Sequence, residues 1–237
     1  MVAVRIPRIA CTALISLSVL ALLSACAQSR SAAWTTARHM VNSSSAVDTA
    51  QLNPRYRYLR VTTNGEVALL VLGYVDLDAL GRPVDVWYTA DQEVLRLQNG
   101  RLVALLGTPT EWRSVTLPAD LPAWSPGQAA YSYLRQRDEM PGYRIGLQER
   151  VQVRPVPAPS NSALAQLSPA SLQWFEETAD RLNNSGDPIQ PQPARLPAAR
   201  YAIAPGATTS APVYGEQCID TSFCISWQTW PSLGPKP

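Results

Sequence analysis

Four cysteines and a single histidine hold the nucleophilic and soft-ligand chemistry open to this 237-residue chain. Their positions exclude more than they allow. A Ser-His-Asp or Cys-His system needs an imidazole held beside its nucleophile. His39 stands in a Ser/Thr/Ala-rich stretch, residues 27–50, that shows no sustained apolar period. Cys218 and Cys224 have five residues between them, unlike a zinc Cys-x-x-Cys, and no histidine nearby. In an oxidising compartment such a pair is expected to form a disulfide, worth ~2 kcal/mol through the small loop it closes. No metal and no cofactor is expected.

Cys26 has a different setting. Arg5 and Arg8 give a short cationic start, Ile9 to Leu23 is apolar or small and uncharged, and Leu23-Ser24-Ala25-Cys26 follows. That order marks a secretory signal, too short in its apolar part for a transmembrane span. Its last four residues resemble a lipobox, which directs diacylglycerol onto the cysteine before cleavage ahead of it. An ordinary cleaved signal is the alternative. Each buried acyl methylene contributes about 0.8 kcal/mol, so two or three chains anchor firmly where one does not. Ala27, in place of an aspartate, points to the periplasmic face of the outer membrane. Without residues 1–25 the chain loses Arg5 and Arg8, so 20 basic residues become 18 against 18 acidic ones. A balanced chain carries no basic stripe, and nucleic acid is excluded as a partner.

Carboxylates leave one enzyme class open, a glycosidase-type acid pair. Asp76, Asp78, Asp85, Asp91, Glu93, Glu176 and Glu177 are the candidates, though most lie at turns, where Asp commonly serves the backbone. Asp76-Leu77-Asp78 lacks the Gly and distal Glu of a calcium loop. Trp87, Tyr88 and Trp112, with Arg101 for hydrogen bonds, are candidate glycan-binding residues, and core packing competes for each of them.

The elements that must position these residues are mostly strands. Asn64-Gly65 and Asn99-Gly100 each separate two apolar runs, the strongest short hairpin signal, because a type I′ turn needs positive φ at both central residues. Val84–Thr89 alternates like a strand, and Trp112–Leu117, Gln128–Arg135 and Tyr143–Arg154 are further candidates. Val67–Leu72 is apolar throughout, as expected of a strand covered on both sides. Ser168-Pro169 can open a helix, with Leu172, Phe175, Ala179 and Leu182 at helical spacing; an extended reading of 172–178 is the alternative. Tyr214 to Trp230 reads as a final hairpin. The expected fold is mainly β: an antiparallel sheet or barrel-like domain built from hairpins, with Pro-rich loops and at most one short helix. The division expected is a signal (1–25), a lipidated cysteine with a flexible tether (26–53), a β-rich domain (54–231) and a tail (232–237).

Tyr-Leu-x-Val at 58–61, Leu-Leu-Val-Leu-Gly-Tyr-Val at 69–75, Val-Trp-Tyr at 86–88 and Val-Leu-Arg-Leu-Gln-Asn-Gly-Arg at 94–101 resemble the YjbF/GfcB family of group 4 capsule polysaccharide lipoproteins. Trp227-Gln228 followed by Pro231 is similar to that family's closing strand. The resemblance implies an outer-membrane β lipoprotein working beside polysaccharide-export components. It transfers no catalytic residue, and the Cys218–Cys224 pair departs from its pattern. The expected function is a non-enzymatic accessory role in exopolysaccharide or capsule export, with an export protein or the polymer as partner. A polysaccharide-modifying enzyme using a carboxylate pair, or an envelope lipoprotein with no glycan role, are the alternatives.

Overall fold

The computed structural model describes residues 44–89, 92–190, 195–206 and 211–232. Cys11, Cys26, His39 and Asp91 lie outside the described residues, and so do the signal, the lipobox and most of the expected tether.

Twelve antiparallel strands form a closed up-and-down barrel: β1 Tyr58–Thr63, β2 Glu66–Leu77, β3 Pro83–Tyr88, β4 Val94–Gln98, β5 Arg101–Leu106, β6 Glu111–Thr116, β7 Tyr131–Met140, β8 Arg144–Val156, β9 Gln173–Arg181, β10 Ala199–Ile203, β11 Tyr214–Cys218 and β12 Cys224–Trp230. Each strand pairs with its neighbours in sequence, and β1 closes the ring against β12 from Tyr58↔Trp230 to Thr63↔Ile225. Closure removes the unpaired edge that an open sheet would present. Both Asn-Gly turns have the expected geometry, with φ of 51° and 84° at Asn64 and Gly65 and of 47° and 75° at Asn99 and Gly100. The final hairpin is β11–β12.

The barrel is filled. Its main core joins Leu59, Leu70, Leu95, Leu105, Trp112 and Trp227 to residues from most other strands. On its outer surface β8 turns Arg150, Gln152 and Arg154 to solvent. Polar side chains there suit water, where a lipid-facing strand would carry apolar ones.

Parts of the outer wall are covered by the chain itself. A five-residue helix, α1 (Ser44–Asp48), lays Val47 on Val67, Leu69, Tyr58 and Trp230. This is why Val67–Leu72 is apolar throughout: Ala68, Leu70 and Leu72 pack with the interior, while Val67 and Leu69 pack beneath α1, Ala50 and Leu52. Arg60 fixes that cover, donating to Asp48 at 2.9 Å and to the Ala163 carbonyl at 3.3 Å and lying over Trp230. Residues 44–53, placed in the tether by sequence, therefore include a stretch packed on the barrel through Val47, Ala50 and Leu52.

The second cover is the loop between β8 and β9. Ala163 and Leu164 pack on Trp174, Ala202 and Tyr214, and Ala165 exchanges hydrogen bonds with the Gln228 side chain. It also explains a correction. The helix expected from Ser168-Pro169 is only a 3-10 turn, Pro169–Ser171, and the residues after it form β9. With Trp174 buried outside beneath this loop and Phe175 buried inside, the two-residue period is hidden, and spacing alone imitates a helix.

Candidate functional site

The two ends of the barrel differ. At one end, the base, Asn99-Gly100 turns and the β6–β7 loop folds Trp124 inward against Phe175 and Tyr201. At the other end, the mouth, lie the Asn64-Gly65 turn, the β7–β8 turn and the loop closed by Cys218 and Cys224. The disulfide expected from sequence is present. Its loop turns inward: Ile219 is buried and its carbonyl accepts the Trp112 indole N–H at 3.0 Å.

Between base and mouth the inner wall of β5 and β7–β9 is charged. Near the base Arg101 donates to Glu177 Oε1 and to the Tyr131 hydroxyl, both at 2.8 Å, while its guanidinium lies 3.8 Å above the Trp124 ring. Tyr133 donates to the other Glu177 oxygen at 3.1 Å. Midway, Arg135 donates to Glu149 Oε2 at 2.7 Å. Toward the mouth, Arg137 donates to Glu149 Oε1 at 2.9 Å and pairs with Glu139, which also meets Arg144 at 2.6 Å. Trp112 lies beneath both Arg135 and Arg137, with guanidinium-to-ring distances of 5.1 Å and 4.5 Å.

Strand geometry makes this ladder. Tyr131, Tyr133, Arg135, Arg137 and Glu139 alternate along β7, so all five share one face. Register then sets Glu149 opposite Arg135, and Val153, opposite Tyr131, next to Glu177. Charges taken out of water are tolerable only when paired. The protonation states reflect this pairing. Burial pushes the Glu149 carboxyl up, but Arg135 and the hydrogen bond from Arg137 outweigh it and bring it down to about 2. Burial works against the Arg135 and Arg101 cations, and Glu149 and Glu177 reverse it, leaving both above the usual arginine value. Arg137 goes the other way: burial lowers it, Glu149 pushes it back up, and the neighbouring Arg135 and Arg181 leave it lowered on balance. Its Nε is buried with no hydrogen-bond partner among the described residues.

The ladder ends in a cavity of about 270 Å³ at the mouth. Arg137, Glu139, Arg144, Glu149 and Arg181 line it from β7–β9, and Ile219 and Asp220 from the disulfide loop. A second cavity of about 260 Å³ lies across the mouth among Val61, Leu70, Leu95, Leu105 and Ile225, with Phe223 of the same loop on its wall. The disulfide loop thus contributes to both chambers, one charged and one apolar.

The structure does not bring the four candidate glycan-binding residues together. Trp87, Trp112 and Arg101 are 3%, 0% and 1% exposed, so none offers a face to a sugar from solvent. Tyr88 is half-buried beside Tyr74. Of the carboxylates, Glu177 is the buried partner of Arg101, and Glu176 points outward to Arg154 at 2.7 Å. Asp76 pairs with Arg96, Asp78 with Arg82 and Asp85 with Arg57. Arg135, Arg137, Glu139, Arg144, Glu149 and Arg181 were not singled out by sequence. For the three on β7, Arg135, Arg137 and Glu139, the signal in the sequence is the alternation of the strand, which by itself reads as a solvent face.

No protein-family model and no curated protein matches the chain. Among solved structures the fold is similar to that of YmcC, a hypothetical lipoprotein from Escherichia coli (K12), at 14% identity and a TM-score of 0.54. The likeness covers 78% of this chain and 86% of that one. At that identity what the two share is the barrel fold.

Proposed function

We propose that this chain is a lipid-anchored, non-enzymatic accessory protein of extracellular polysaccharide export. It works as a water-facing barrel at the periplasmic face of the outer membrane and presents its mouth to polymer or to an export partner. The observation that carries the binding part of this reading is the state of the interior carboxylates. Glu149 is held ionised by Arg135 and Arg137, and Glu177 accepts from Arg101 and Tyr133. Glu149 is thus an acceptor locked in ion pairs with its pKa lowered, whereas a glycosidase acid needs a carboxyl whose pKa is raised.

Two further observations support the export context. The phrases that resemble the YjbF/GfcB family form adjoining strands, β1 to β5, and Trp227-Gln228 lies in β12, which pairs with β1. The segments are thus one continuous wall. The lipobox-like Leu23-Ser24-Ala25-Cys26 supplies the anchor.

Deletion of the gene tests the reading in cells making polymer. Surface polysaccharide should fall while its synthesis continues, and a Cys26→Ser copy should leave the membrane fraction and fail to restore it. Unchanged surface polymer in the deletion strain would overturn the proposal.

A further inference from the structure

The charged chamber at the mouth has the chemistry of a ligand site. Arg137, Arg144 and Arg181 converge on it from three consecutive strands, and Arg195 joins them from the β9–β10 loop. Arg137 and Arg181 are near enough to oppose each other's charge, and with burial this outweighs the pairing of Arg137 with Glu149. A buried guanidinium with an idle Nε beside a second arginine is a place where an incoming anion gains charge-assisted hydrogen bonds and relieves repulsion. Arg144 and Arg195 have side chains that are 51% and 53% exposed, so the rim is open to water.

The rest of the lining narrows the anion. Glu139, Glu149 and Asp220 share the wall, and a compact doubly charged anion would meet their repulsion. Glu139, Asp220 and the Thr221 hydroxyl can accept hydrogen bonds from ligand hydroxyls, and Ala179, Leu196 and Ile219 supply apolar surface. The cavity, at about 270 Å³, lies just below the ~300–1,000 Å³ that suits drug-sized ligands. It has room for a single sugar ring.

We infer that this chamber binds a carboxylate-bearing sugar, a uronic acid unit, with Arg137, Arg144 and Arg181 on the carboxylate and Glu139 and Asp220 on ring hydroxyls. The assignment of the ligand as a sugar rests on the export reading above; the assignment of an anion site does not.

The test is titration of the full-length protein in detergent with sodium glucuronate, glucose and inorganic phosphate, followed by calorimetry and by the Trp112 indole N–H resonance. That resonance reports the chamber because its acceptor, Ile219, lines it. Glucuronate should saturate and shift the Trp112 signal, with glucose and phosphate at least tenfold weaker. Arg144→Gln and Arg181→Gln should each weaken glucuronate tenfold or more, as expected for lost charge-assisted bonds. Arg144 is exposed enough that its variant should fold, and an unshifted melting temperature checks it. No glucuronate binding, phosphate binding as tight as glucuronate, or an Arg144→Gln protein that folds and binds unchanged would each overturn the inference. Failure here with reduced surface polymer in the deletion strain would leave the export reading standing. Glucuronate binding with unchanged surface polymer would do the reverse.

Discussion

Arg101 and Glu177 are each 2% exposed at the side chain, and their pairing near the base allows the ladder to be tested energetically. Glu177→Gln keeps the shape and one acceptor oxygen but removes the charge. Arg101 would keep neutral partners, the remaining amide oxygen, the Tyr131 hydroxyl and the Trp124 ring, but no negative charge to offset its own. Leaving one member of a buried pair uncompensated costs about 3–5 kcal/mol, against a total stability of about 5–15 kcal/mol for a folded domain. With a urea slope near ~2 kcal/mol/M, the unfolding midpoint should fall by roughly 2 M. The double change Arg101→Met with Glu177→Leu removes both charges and should recover most of that loss, since apolar replacement of a whole buried pair is often neutral or better. Urea melts of wild type, both single variants and the double variant form the cycle that isolates the coupling. A Glu177→Gln protein within 1 kcal/mol of wild type, or a double variant as unstable as the sum of the singles, would refute the view of these charges as buried and mutually dependent.

Three other outcomes are expected from the same geometry. The Glu149 carboxyl lies at about 2 when folded against an ordinary 4.5, a depressed group, so its stabilisation is fully present above pH 4.5 and is lost as pH falls toward 2. That is about 3 kcal/mol for this buried side chain, and Glu149→Gln should flatten urea stability across that window. Reducing Cys218–Cys224 should cost about 2 kcal/mol and make residues 219–223 more susceptible to limited proteolysis, because the loop would then depend on Ile219, Phe223 and the hydrogen bonds to Asp220 alone. Gly215→Ala should cost about 1–3 kcal/mol in thermal melts, since an added Cβ would stand 2.6 Å from the Trp227 ring across the β11–β12 pair.

The hairpins were legible because their turns are local. Asn64-Gly65 and Asn99-Gly100 need positive φ at both positions, and few residue pairs supply it. The final hairpin and the disulfide were legible for a similar reason, a short span with strong chemistry. What stayed hidden depends on contacts far apart in sequence. Trp174 is buried by residues 163 and 164 on the outside of the barrel, and this cover masked the strand period of β9. The charged ladder was hidden by the opposite error. Arg135, Arg137 and Glu139 alternate as a solvent-facing set should, and only their pairing with Glu149, brought round by the β7–β8 register, makes burial tolerable. Arg101 illustrates both sides: its turn was predicted, while its partner Glu177 lies 76 residues away.

The placement of the two chemistries within one ring bears on how such a barrel could vary. The phrases that carry the family resemblance occupy β1–β4, the first residue of β5 and part of β12, strands that give the main core Leu59, Leu70, Leu95 and Trp227. The charged chamber is built from β7, β8, β9 and the disulfide loop, where the resemblance is silent and where the Cys218–Cys224 pair departs from the family pattern. A one-residue slip of β7 or β8 would turn Arg135 or Glu149 outward, so their register is what keeps the charged half inside the ring. The apolar wall therefore fixes the frame, and substitutions at the exposed rim of the charged chamber should change what the mouth binds at little cost to stability, unlike those at the buried Glu149 and Glu177. Exchanging the half-exposed Arg144 should accordingly alter ligand preference more than fold, whereas altering Leu70 or Trp227 should do the reverse, since each lies in the main core and neither lines the charged chamber.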